Sequence, residues 1–353
     1  MDVLYSSTSG QTGNSGNNHW NYIVPTKKNR PNFWLSDEFR NRIIVHILRN
    51  RMSQFSDSPL MLAIQGRAGD GKSSQVREAC SVNGIYIFPI SGASLSGSHE
   101  KESVKEMFNV YEAASKFILE QKNCLACILI DDFDLSVAST FDDRRYTVNS
   151  QLLTGSLMNL ADDPTRCGSK TTQRVPIIIT GNNFTSLHAP LFRHGRMDFY
   201  NWHPTQKDKH QIISCIYQGF DLANDSEGLT RLVHTFPDQP ISFFTALKND
   251  LINKIILNDY LERKEINSHS IELLIQKLSA ISKVDDLIEI GKVRVISQPQ
   301  NYVKKTETDL LEDSKKISDC TDLQTVHSEQ MLEIKANFPA SVSIYSQETL
   351  YSD

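Results

Sequence analysis

The segment Gly66-Arg-Ala-Gly-Asp-Gly-Lys72-Ser73 constrains this chain more than any other part of it. It follows an apolar run at residues 60–64 and opens into a helix-compatible stretch at 74–80. The pattern G-x-x-x-x-G-K-[ST] between a strand and a helix is the phosphate-binding loop. Gly66, Gly69 and Gly71 let the backbone turn tightly and aim several N–H groups at one anion. The helix N-terminus that follows adds its dipole. Lys72 is then placed to reach the β- and γ-phosphates of a nucleoside triphosphate, and the Ser73 hydroxyl to ligate Mg²⁺. The bland alternative is a glycine-rich turn before a lysine, which leaves the flanking strand and helix without a reason.

Around this loop the chain alternates. Apolar runs at 60–64, 85–90, 127–130 and 175–180 are interleaved with helical spacings at 37–52, 73–83, 100–121 and 147–161, and Ser36 is placed to cap the first helix. Such alternation predicts an α/β fold, a parallel sheet flanked by helices. From Gln206 the β-rich runs fade, and 207–219, 228–235, 241–261 and 269–290 read as helices. The expected organisation is a disordered leader at 1–28, a nucleotide-binding α/β subdomain at 29–205, a helical lid at 206–297 and an acidic flexible tail at 298–353.

Charge narrows the partners. The net charge is −5, and residues 301–353 alone carry five lysines against ten carboxylates, so the rest of the chain is balanced. A balanced body lacks the basic field of a nonspecific nucleic-acid binder, and no nucleic acid is expected as partner. No apolar run approaches the roughly 18–20 residues of a membrane span, so no membrane is expected either. The first 18 residues are rich in Ser, Gly, Asn and Thr and lack the basic and apolar regions of a targeting signal. Six cysteines stand at 80, 124, 127, 167, 215 and 320, without a second Cys-x-x-Cys pair or a spaced histidine pair. Cys124 and Cys127 open an apolar strand and read as small buried hydrophobes. Free thiols fit a reducing compartment. With a leader unlike a transit peptide, a bacterial cytoplasm is expected ahead of an organelle.

A triphosphatase also needs a carboxylate for the metal and one for the attacking water. The run Cys127-Ile-Leu-Ile-Asp131-Asp132 supplies both, with Asp131 toward Mg²⁺ and Asp132 toward water. The alternative is a strand-terminal turn with surface acids. The strand at 175–180 ends in Gly181-Asn182-Asn183, and Asn182 is the candidate to sense the γ-phosphate; a plain Asn-rich turn is the other reading. Arg193 and Arg196, three apart on a short turn, suit arginine fingers that serve a neighbouring subunit's site. A surface ion-pair cluster with Asp198 competes with that reading.

These parts in this order resemble an AAA+ ATPase. The wording of Tyr146–Gln151, Leu157–Thr165, Arg174–Phe184, Leu187–Leu191, Arg193–Met197 and Ser242–Leu247 resembles Rubisco activase, across about residues 33–295. The resemblance implies an ATP-driven ring, usually a hexamer, that pulls on inhibited Rubisco through its pore and releases bound sugar phosphates. It implies ATP and Mg²⁺ held by Lys72, Ser73 and Asp131, with Asp132 on water, Asn182 as first sensor, and Arg193 and Arg196 acting in trans. It places pore loops at Ser91–Glu100 and Ser136–Arg145. Lys248 stands, with Asp250, where the family usually offers arginines to the nucleotide, so Lys248 is the candidate second-sensor contact to phosphate. Remodelling of another client, or a nucleotide-gated binding role with weak hydrolysis, are the alternatives.

Overall fold

The computed structural model describes residues 12–13, 21–52, 57–96, 102–121, 123–134, 148–184, 189–193, 195–264, 268–281 and 283–297. The chain divides into a unit of Met1–Lys292 and a second of Val293–Asp353, of which only the first five residues are described. The expected second pore loop at 136–145, the end of the first and the expected tail lie outside the described residues.

The first unit is built on a seven-stranded sheet. Its strands are β1 (Thr12–Gly13), β2 (Tyr22–Ile23), β3 (Met61–Gln65), β4 (Ile85–Ser91), β5 (Leu125–Asp131), β8 (Ile177–Gly181) and β9 (Met197–Asn201). The spatial order is β1-β2-β4-β5-β8-β3-β9, and β4, β5, β8, β3 and β9 run parallel. A separate hairpin pairs β6 (Arg166–Cys167) with β7 (Lys170–Thr171). In β3 all of Met61–Ile64 are buried, as expected of a strand covered on both faces. Alternate residues feed opposite layers. Met61 and Ala63 face Met107, Tyr111, Leu153 and Leu157, on α3 (Glu102–Glu120) and the helix Val148–Asp162. Leu62 and Ile64 face Phe39, Ile43, Ile47, Val76 and Ala79, on α1 (Asp37–Arg51) and α2 (Lys72–Val82). This period of two is what makes the sheet the middle of three layers.

Two elements depart from expectation. β9 falls where the sequence reads as a turn leading into helices; it lies in register with β3 from Met61↔Met197 to Gln65↔Asn201. The sheet also reaches into the expected disordered leader. Ile23 pairs with Ile87, and Thr26 and Lys27 donate their backbone N–H groups to the Ser81 hydroxyl and carbonyl at 3.1 and 3.0 Å.

The helical region has its own core, in which Ile213, Tyr217, Leu229, Leu232, Phe243, Phe244, Leu247 and Leu287 are buried together. Its helices are Gln206–Ile216, Ser226–Thr235, Ile241–Arg263, Ser268–Ser279 and Val284–Ser297. The expected single helix at 269–290 is two. Just past the end of the first, the Ile281 carbonyl accepts from the Leu222 N–H at 2.7 Å, a tertiary bond in place of a helical one, and neither Gly nor Pro stands in residues 280–283.

Candidate nucleotide site

All five parallel strands end at one edge of the sheet, where Gln65 lies level with Gly181 and Asn201 and Ser91 level with Asp131. The loop 66–71 leaves β3 there and enters α2 at Lys72. Gly71 sits at φ +79°, and a Cβ added to it would meet nothing within 4 Å, so its requirement is purely conformational. Gly66 has the opposite reason: a Cβ would fall on the Trp202 carbonyl at the end of β9.

Lys72 is buried at 5% exposure. Its ammonium donates to the carbonyls of Gly66 and Arg67 at 2.8 and 2.9 Å and to Asn182 Oδ1 at 3.0 Å. Burial pushes its pKa below the usual lysine value, against the pull of Asp70, Asp132, Asp134 and Asp131. The structure thus brings Lys72 and Asn182, 110 positions apart in sequence, into direct contact. Ser73 Oγ donates to Asp131 Oδ1. A hydroxyl and a carboxylate that converge in this way are a fitting pair of Mg²⁺ ligands, since that ion takes one or two protein oxygens and fills its octahedron with phosphate and water. Among the described residues no group of three or more His, Cys, Asp or Glu gathers for a metal.

Asp132 adopts φ +54°, a left-handed conformation uncommon outside glycine. Its N–H donates to Thr180 Oγ1 at 3.2 Å. Burial pushes its carboxyl up, and the charges of Asp131 and Asp134 push the same way while Lys72 opposes them. A carboxylate tuned upward beside the metal pair is suited to accept a proton from water.

Four contributors here escape a motif reading. Thr180, fully buried at the end of β8, donates to Asp131 Oδ1 at 2.5 Å. Asp134 accepts from the N–H groups of Asn182 and Asn183 at 2.8 and 3.4 Å and so orients that turn. Arg77 reaches Asp131 Oδ2 at 3.1 Å. Asp70, inside the loop itself, accepts from the Ile241 N–H at 3.2 Å, and burial raises its pKa. Only Asp134 had a local signal, as the third acid of Asp131-Asp-Phe-Asp134.

The helical region docks on the phosphate loop. The Ser242 N–H donates to the Gly69 carbonyl at 2.9 Å, Arg67 donates to the Asp238 carbonyl, and Lys209 donates to the carbonyls of Pro237 and Gln239. Gly69 and Asp70 therefore cap the N-terminus of the long helix Ile241–Arg263, whose own cap position is Pro240. Lys248 belongs to a different place. It donates to the Ile216 carbonyl at 2.6 Å and lies 5.0 Å from the centre of the Phe220 ring, half-buried at the margin of the helical core. The structure does not bring it to the phosphate loop, and burial lowers its pKa there. An ammonium on a flexible stem found a carbonyl within its own helical region, which sequence position alone cannot report.

Arg193 and Arg196 lie at the far edge of the sheet. The Met61 N–H, at the start of β3, donates to the Arg196 carbonyl at 3.2 Å, whereas the phosphate loop follows the end of β3. A five-residue strand separates the two edges by about 16 Å. These arginines therefore do not converge on their own chain's phosphate loop, which is the geometry a trans-acting group requires. Arg196 is already engaged. Its Nε and Nη2 grip Asp162 at 2.6 and 2.5 Å, and Nη1 donates to the Pro190 carbonyl at 2.8 Å. Its partner is Asp162 rather than the Asp198 weighed from sequence. Arg193 is exposed, and among the described residues its guanidinium makes no hydrogen bond or ion pair.

Cys127 is a buried free thiol as expected and lies 3.8 Å from Cys80 across β5 and α2, itself fully buried and free, while Cys124 is free and half-buried.

Residues 62–205 match the family described as "ATPase family associated with various cellular activities (AAA)". The match starts in β3 and ends at Thr205, the cap of the first lid helix. Ribulose bisphosphate carboxylase/oxygenase activase 1, chloroplastic, of Larrea tridentata is 34% identical over 254 residues, 68% of this chain and 52% of that protein. Activase A of Hordeum vulgare is 31% identical over 289 residues, 78% of this chain and 61% of that protein. The chain is a Rubisco activase-like AAA+ protein. The activase of Zea mays is 35% identical over 223 residues, 61% of this chain and 51% of that protein. The activase-like chain spans between half and two thirds of the length of these relatives. Their names place them in chloroplasts. No described helix of the activase-like chain is long and apolar enough to cross a membrane.

Proposed function

We propose that the chain hydrolyses ATP with Mg²⁺ and uses the energy to remodel inhibited Rubisco, releasing bound sugar phosphates. The observation that carries the ATPase half is the convergence of Lys72, Ser73, Asp131, Asp132 and Asn182 at one sheet edge, from two strand ends and one helix. In this reading Lys72 and the loop N–H groups hold the phosphates, and Gly66, Gly69 and Gly71 give them room. Ser73 and Asp131 hold Mg²⁺, which neutralises charge on the phosphates when bound. Asp132 orients water and takes its proton, and Asn182 passes from Lys72 to the γ-phosphate.

Arg193, exposed at the opposite edge, supplies a cation to the next subunit, which makes a closed ring, a hexamer in the family's usual form, the working assembly. Arg196 braces that turn through Asp162. The α/β body at 29–205 and the lid at 206–297 would be the two moving parts, meeting at Gly69–Asp70 and Ile241–Ser242. Likeness to the named activases supports Rubisco as client, with no nucleic acid or membrane involved, and the free thiols favour a reducing cytoplasm. The test is ATP turnover, and recovery of carboxylation by sugar-phosphate-inhibited Rubisco of the same cell, with Lys72→Ala as blank. Turnover without recovery transfers the motor to another client.

A second reading, nucleotide-gated binding with weak hydrolysis, is favoured by the placement of Lys248 against the Ile216 carbonyl, away from the phosphate loop. Turnover well above the Lys72→Ala blank refutes it.

A further inference from the structure

Asp131 is held through both of its oxygens. Oδ1 accepts from the Ser73 and Thr180 hydroxyls, which are neutral. Oδ2 faces the Arg77 guanidinium at 3.1 Å. Arg77 stands four residues after Ser73 on α2, so the two side chains share one face of that helix and meet the same carboxylate. Its charge is permanent. The pair is partly solvated, with Arg77 38% and Asp131 22% exposed, so the guanidinium can leave Oδ2 without being stranded in an apolar core.

We propose that Arg77 is a positioning residue that acts as a resident cation of the nucleotide site. It keeps Asp131 aimed at Ser73, and its charge favours a polyphosphate entering before Mg²⁺. The same charge weakens the later hold on Mg²⁺, because a divalent ion must approach Asp131 beside a fixed positive group. The inference rests on the reading of this edge as a Mg²⁺–nucleotide site and goes beyond it by assigning a metal-sparing role to a residue outside the loop motif.

The experiment is an equilibrium titration of the full chain with a fluorescent adenosine diphosphate, from excess EDTA through rising Mg²⁺. Arg77→Gln and Arg77→Met remove the charge, and Arg77→Lys restores it as a point charge. Relative to wild type, both neutral variants are expected to bind the metal-free nucleotide about fivefold more weakly, with the Mg²⁺ midpoint about fivefold lower, the order expected of one partly screened unit charge. Arg77→Lys returns both readings toward wild type. A merely structural ion pair would lower the melting temperature and leave the Mg²⁺ midpoint where it is. Wild-type binding in Mg²⁺ no better than that of Lys72→Ala overturns the nucleotide-site reading itself. Wild-type binding with an unchanged or raised Mg²⁺ midpoint in both neutral variants overturns the role of Arg77 alone.

Discussion

Thr180→Val removes one oxygen and keeps the shape, and Thr180 is fully buried. That oxygen has two duties: it donates to Asp131 Oδ1 at 2.5 Å and accepts from the Asp132 N–H at 3.2 Å. Loss of a hydrogen bond to an ionised carboxylate costs about 1.5–3 kcal/mol. The Asp132 N–H is left without its partner, at about 1–3 kcal/mol if water does not reach it. The extra buried methyl returns about 0.8 kcal/mol. Because Asp131 keeps Ser73 and Arg77, the lower half of the first range applies, and the net expectation is a loss of about 2–4 kcal/mol. Urea unfolding followed by tryptophan fluorescence measures it, since Trp202 packs between this sheet and Phe39 at a ring separation of 5.1 Å. The midpoint should fall with little change of slope. Thr180→Ser, which keeps the oxygen, should recover most of the difference. A valine variant within about 0.5 kcal/mol of wild type, or a serine variant no better than valine, refutes the idea that this hydroxyl ties the two acids to β8.

Gly71→Ala should cost about 1–2 kcal/mol through its left-handed backbone alone, and denaturant unfolding reads that cost without any steric term. His46 is buried and its pKa is pushed down from 6.5 to about 4, mainly by desolvation. A depressed folded pKa means the unfolded chain binds the extra proton, so stability is full above pH 6.5 and falls as pH drops toward 4, by about 3 kcal/mol at most; His46→Gln should flatten that slope in pH-dependent unfolding. Asp162 has its carboxyl held below the usual range, first by its hydrogen bond from Arg196, so the stability it adds is present near neutrality and lost only in strong acid. Asp162→Asn should lower melting at pH 7 only slightly, because the carboxylate is half exposed, yet loosen the Arg193 turn and lower concentration-dependent ATP turnover. The raised carboxyl of Asp132 predicts an acid limb of turnover at higher pH than an ordinary aspartate would give, and Asp132→Asn should abolish turnover with nucleotide binding intact.

The site was legible where chemistry is local in sequence. Gly66–Ser73 and Asp131–Asp132 announce themselves because a phosphate cradle and a strand-end acid pair need adjacent residues. Contacts made by distant residues were invisible. Thr180 looked like one more β-branched strand residue, and its hydroxyl matters only because β8 lies beside β5. Lys248 was placed at the phosphate by analogy of position, and the Ile216 carbonyl holds it elsewhere. β9 was missed since its run Met-Asp-Phe-Tyr-Asn buries only Met197 and Tyr200, a pattern too short and too polar for a strand signal. The helix break near Ile281 carries no Gly or Pro and coincides with a tertiary hydrogen bond to Leu222, which no local pattern reports.

Residues inside the phosphate loop are usually regarded as free to vary between the glycines. Here the Gly69 carbonyl and the Asp70 carboxylate are the first hydrogen-bond acceptors of the Ile241–Arg263 helix, 171 positions downstream of Asp70. A chimera that joins this α/β body to the helical region of a relative must therefore import Pro237–Ser242 together with residues 67–70, or leave the grafted helix uncapped. The transplantable unit in this protein is the seam between body and lid, and a cut at the linker before Gln206 would pass on the wrong side of it.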